Sequence, residues 1–148
     1  MPFWQVFAPE NAFTDEDKEA LAESITSMYT DFVNLPKFYV VVSYHMQPPN
    51  SMYVGGKPAN NFVRILVDHI ARRIVDQPEL QALCMQIIET KIAPWVRDRG
   101  FDWEVHVDET PQELWRTQGL TPPAAGSDGE RLWAEKNRAV PYDVVAAS

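Results

Sequence analysis

Proline stands second in the chain, directly after Met1. A small second residue permits removal of Met1, and a mature chain beginning at Pro2 is expected. Its nitrogen is then a free secondary amine. An α-amino group titrates near about 7.7–8.0 in model peptides. Burial in apolar surroundings and nearby cations disfavour the charged form, so such an amine can trade protons near neutral pH. A retained Met1 would instead make that nitrogen an amide without basicity. The adjacent pair Arg72 and Arg73 can hold a small anion, since the guanidinium fork fits a carboxylate. The three histidines, His45, His69 and His106, show no paired spacing, which argues against a metal site. His45 and His69 read as structural. Cys84 is the sole cysteine, so no intrachain disulfide is available, and it reads as a small buried hydrophobe.

The composition sets bounds on partners. The chain has 148 residues, 45% hydrophobic and 23% charged, a balance ordinary for a globular protein able to bury its own core. A net charge of -8 lacks the basic stripe of a nucleic-acid binder, so no nucleic-acid partner is expected. No apolar run approaches transmembrane length and no secretory signal opens the chain, so no membrane partner is expected. A free thiol suits a reducing compartment, and a cytoplasmic location is expected.

The elements that must position these residues follow from periodicity. Residues Pro2 to Ala8 are aromatic and β-branched, a strand stopped by Pro9. Thr14 followed by Asp15, Glu16 and Asp17 is a helix start, and Leu21, Ile25, Met28 and Phe32 mark one helical face. Phe38 to Tyr44 reads as a strand apolar on both faces and therefore central. Phe62 to Val67 is a third strand, entered from a loop with Gly55 and Gly56. Pro78 suits the first turn of a second helix carrying Leu80, Leu83, Ile87 and Ile88, which Pro94 should end. From Phe101 to Asp108 apolar and polar residues alternate, a half-buried strand with His106 on its polar side. The expected fold is α/β (α+β). One domain holds two tandem β-α-β units, residues 2–46 and 47–110, in one sheet with both helices on one face. Residues 111–148 form an irregular arm with Trp115, Trp133 and a short helix over Glu130 to Lys136.

A strand opening with Pro2, followed by β-α-β twice, resembles the tautomerase superfamily, in particular its cis-3-chloroacrylic acid dehalogenase branch. The likeness runs over roughly residues 2–123. It rests on Pro2, on Gln47-Pro48 and Val54-Gly55-Gly56, on the segment Val67 to Arg72, and on the strand ending near Pro111. The tail with Trp115, Gly119, Pro122, Pro123, Trp133 and Val140-Pro141-Tyr142 is similar to fungal members of that branch.

The resemblance implies a homotrimer, no cofactor, and a small carboxylic-acid substrate. It implies Pro2 as catalytic acid-base and Arg72 as the first of two substrate-binding arginines. The second falls on Val75, with Arg73 as substitute. Tyr29 stands where the dehalogenase has a histidine, and His106 where it has a tyrosine; both become candidate donors to the substrate carbonyl. Thr117 stands where that enzyme places its water-activating acid, and a threonine is no general base at neutral pH. The expected activity is therefore tautomerisation of a 2-oxo or enol carboxylic acid. The alternatives are hydration or dehalogenation of 3-substituted acrylates, with Glu109 or Glu113 as base, and a non-catalytic binding protein on the same scaffold.

Overall fold

The computed structural model describes residues 1–143. A four-stranded sheet carries the fold, built from β1 (Phe3–Pro9), β2 (Val41–Gln47), β5 (Phe62–His69) and β6 (Asp102–Glu109). The strand order is β2-β1-β5-β6. β1 pairs parallel with β2, and β5 pairs parallel with β6, the signature of two β-α-β units. The two central strands, β1 and β5, run antiparallel with Phe3 opposite Asp68 and Phe7 opposite Arg64. A small hairpin of β3 (Tyr53–Val54) and β4 (Lys57–Pro58) fills the connection between the units.

Alternation decides which face is covered. Trp4, Val6 and Ala8 of β1 and Val63, Ile65 and Val67 of β5 are buried, and their neighbours in sequence lie on the other face. Against the buried face pack α1 (Asp15–Val33), through Leu21, Ile25 and Met28, and α2 (Pro78–Ile92), through Ile88 and Ile92. Helix α1 starts where its sequence announces it. The Thr14 hydroxyl accepts from the Asp17 amide, and the Asp17 carboxylate accepts from the Thr14 amide, a capping box. Helix α2 opens on Pro78, whose missing N–H costs nothing in the first turn.

Three readings of the sequence need correction. Residues 38–44 are not a central strand. Lys37–Tyr39 form a 3-10 turn, and β2 begins at Val41 and lies at the sheet edge. Phe38 and Tyr39 are apolar because they pack against Trp115 and Trp133 of the arm, not because a second strand covers them. Phe32, Leu80 and Leu83, read as marking the apolar stripes of their helices, are 63%, 45% and 50% exposed. They sit at the ends of α1 and α2 that face each other, and they rim a cavity instead.

The described part of the arm packs onto the domain. After a 3-10 turn over Gln112–Leu114, it closes with α3 (Asp128–Lys136), capped by the Ser127 hydroxyl, which accepts from the Glu130 amide. Trp133 is fully buried, and its indole N–H donates to the Val140 carbonyl at 2.6 Å. The described helices include none long and apolar enough to cross a membrane.

Candidate active site

The antiparallel ladder of β1 and β5 continues past its last paired residues. The Met1 amine donates to the Ile70 carbonyl at 2.8 Å, which keeps the register and sets Pro2 across from His69. Both share the parity of Trp4 and Val67, so both face the helices. Side chains directly opposed on one face have Cβ atoms about 4.5–5.5 Å apart. There, between the C-terminal end of α1 and the N-terminal half of α2, lies a cavity of about 270 Å³. Pro2, Tyr29, His69 and Arg72 line it together with Met28, Phe32, Leu80, Leu83 and Cys84.

An amine at this end of the strand meets surroundings that favour its neutral form. Burial pushes the Met1 amine down to about 4; the charge of Arg72 adds to this, and that of Glu130 partly opposes it. The same two influences would bear on the nitrogen of Pro2.

Tyr29 and His69 form a buried chain with Trp4. The Trp4 indole N–H donates to the Tyr29 hydroxyl oxygen at 3.0 Å, and that hydroxyl lies 2.5 Å from His69 Nε2. Burial lowers the His69 pKa to about 4, so the ring is neutral and carries one N–H. The same burial raises the pKa of the Tyr29 phenol far above its ordinary value, so its proton stays on.

Arg72 reaches the cavity from the loop after β5, and it arrives with a partner. Its guanidinium donates to both carboxylate oxygens of Glu130, at 3.0 and 3.1 Å. Glu130 belongs to α3, is 5% exposed, and also accepts from the Gly126 amide at 2.7 Å. The loop is held by a second carboxylate: Glu109 accepts from the amides of Ile74 and Val75 at 2.7 and 3.1 Å. Ala71, just before Arg72, sits at φ 80°, a left-handed conformation that costs a residue with a Cβ about 1–3 kcal/mol. Two carboxylates thus fix a strained loop that aims one arginine.

The other expected site residues lie elsewhere. Arg73 is exposed and lines a neighbouring cavity with Glu109, Thr110, Gln112 and Glu113. His106 pairs in register with Leu66, which places it on the sheet face away from the helices, beside Arg64 and Asp108. Within one chain it does not meet Pro2, because the two-residue period of β6 puts it with Glu104 and Asp108. Thr117 lines a third cavity with Phe38, Leu120 and Arg138, its buried hydroxyl without a partner among the described residues. His69, read from the sequence as structural, stands in the cavity wall. Its signal was available only through strand pairing. Among the described residues, no three His, Cys, Asp or Glu side chains converge as a metal would require.

The family model described as "Putative oxalocrotonate tautomerase enzyme" matches residues 1–138. The chain belongs to this tautomerase family. A search of curated proteins found no match. Among solved structures, this tautomerase-family chain is similar to RhCC from Rhodococcus jostii RHA1. The two are 58% identical with a TM-score of 0.91, over 95% of this chain and 99% of that one. It is also similar to a protein of Aspergillus fumigatus described as a probable enzyme, at 38% identity and TM-score 0.87, over 96% and 98%. A member of the cis-3-chloroacrylic acid dehalogenase family shares the fold at 20% identity and TM-score 0.71, over 91% and 97%.

Proposed function

We propose that this chain is a cofactor-independent tautomerase of a 2-oxo or enol carboxylic acid, with the Pro2 amine as its acid-base. The observation that supports it is the position of Pro2: at the head of a central strand, lining an apolar cavity that Arg72 also lines. Ketonisation moves one proton from the enol oxygen to carbon. A neutral amine takes it from the hydroxyl, and the ammonium so formed returns it to the carbon as the carbonyl closes, leaving the amine as it began. Arg72 would hold the substrate carboxylate, in competition with Glu130. Phe32, Leu80 and Leu83 would receive the apolar body. Arg73 lines the neighbouring cavity and His106 the opposite sheet face, so neither enters this assignment within one chain.

The hydrolytic alternative has weaker support. Glu109 is bonded to two loop amides, Thr117 faces a different cavity, and Glu113 is exposed in the neighbouring one. Adding water across a double bond would need a base that these positions do not supply beside Pro2. Enol ketonisation by purified protein tests the reading, with a phenylenolpyruvate-like enol as substrate and 3-chloroacrylates as comparison. Ketonisation with little halide release is expected. Rapid halide release that vanishes on changing Glu109 or Glu113 would reverse the preference.

A further inference from the structure

The Tyr29–His69 contact has only one arrangement that leaves no buried proton without a partner. The Trp4 indole nitrogen can only donate, so the Tyr29 oxygen accepts from it. If His69 Nε2 also carried a proton and donated, the Tyr29 oxygen would accept twice. Its own hydroxyl proton would then be stranded without an acceptor in a site only 6% exposed. If Tyr29 donates to Nε2, the Trp4 N–H, the Tyr29 hydroxyl and His69 Nε2 all have partners. The single proton of the neutral ring is then on Nδ1. That nitrogen has no hydrogen-bond partner among the described residues and is not sealed from solvent, and His69 lines the cavity together with Pro2.

We propose that His69 Nδ1–H, directly across the sheet from Pro2, is the donor that stabilises the enolate oxygen, and that Tyr29 is a positioning residue which sets its tautomer. The proposal rests on the tautomerase reading and supplies that reading's missing donor. Tyr29 has spent its proton on His69 and cannot also give it to substrate. A neutral imidazole is well suited to the task, because it donates without handing over its proton. The proton itself moves only between enol oxygen, Pro2 nitrogen and carbon. His69 contributes a hydrogen bond that strengthens as negative charge gathers on oxygen.

The test combines tautomer and rate. Nitrogen-15 spectra of the labelled protein at neutral pH should show the His69 proton on Nδ1, in wild type and Pro2→Ala alike. Tyr29→Phe should release that preference. His69→Phe should lower kcat for enol ketonisation by about 10²–10³-fold, the usual loss of one such donor, with KM little changed. His69→Gln offers an amide N–H from a side chain of similar reach and should recover part of the rate. Bound phenylpyruvate, labelled at its ketone carbon, should show a polarised carbonyl resonance in wild type and in Pro2→Ala. His69→Phe should abolish that shift. A proton on Nε2, or an unchanged kcat in folded His69→Phe, would overturn the proposal. An unchanged rate in Pro2→Ala would strike the amine mechanism alone, since tautomer and carbonyl shift are read without turnover.

Discussion

A proline ring at the head of a central strand gains its chemistry from its neighbours. Replacing Pro2 by alanine leaves a primary amine of different basicity and shape, and ketonisation should fall by at least the ~10²-fold typical of a lost acid-base group. Steady-state rates on the mature protein check this. His69 carries a second consequence. Its pKa is lowered from 6.5 to about 4 by folding, so between those values the unfolded chain binds more protons than the native one. Its share of stability is therefore present above pH 6.5 and is lost as pH falls towards 4. Thermal melts from pH 7 down to pH 5 should show a falling midpoint, and in His69→Phe the fall should be shallower. An identical slope in the two proteins would mean that His69 titrates normally. Pro2, Tyr29 and Arg72 were legible as site candidates from position and family likeness. His69 was not, because a lone histidine at a strand end carries no signal until one knows that β1 and β5 pair antiparallel in a register that sets it against Pro2.

Among the elements, α3 does something that no periodicity in the arm suggested: it brings Glu130 onto the arginine of the cavity. A substrate carboxylate must then share or displace an internal one. Glu130→Gln keeps the size of the side chain but removes its charge. We expect a lower KM for a carboxylate substrate, with kcat little changed, and a stability loss of about 1 kcal/mol or more from a weakened buried contact. Arg72→Ala should act oppositely, raising KM. Kinetics and melts on the two variants check both. The strands, the two long helices and their caps were readable from alternation, Thr14 and Pro78. The place of β2 was not, since the aromatic pair Phe38 and Tyr39 imitates a doubly covered strand while serving the arm. Phe32, Leu80 and Leu83 misled for a related reason, because an apolar stripe records contact with something apolar and does not say whether that is core or cavity.

At the scale of the whole molecule, the sheet keeps two edges and one face free of helices among the described residues. β2 and β6 are sheet edges, and among the described residues α1 and α2 pack on the face opposite to the one carrying Gln5, Leu66 and His106. Exposed edges invite pairing unless protected. We propose that these edges pair between copies of the chain, in the trimer expected from the sequence. Light scattering at micromolar concentration should give about three times the mass of one chain, and a monomer mass would exclude it.

The seam between α3 and the following chain is unusually tight at Gly129, where an added Cβ would stand 2.6 Å from the Tyr142 ring and 2.8 Å from Pro123 Cβ. Trp133, one turn further along the helix, lies fully buried with its ring against Tyr142. The arm therefore carries its own optical reporter. A bulkier residue at position 129 would lever Tyr142 aside and admit water to an indole that otherwise emits from a dry site. Gly129→Ala should shift tryptophan emission to longer wavelength and flatten the near-ultraviolet dichroism of the aromatic cluster. Glu130 is the next residue, so the same strain is passed to the carboxylate that holds Arg72.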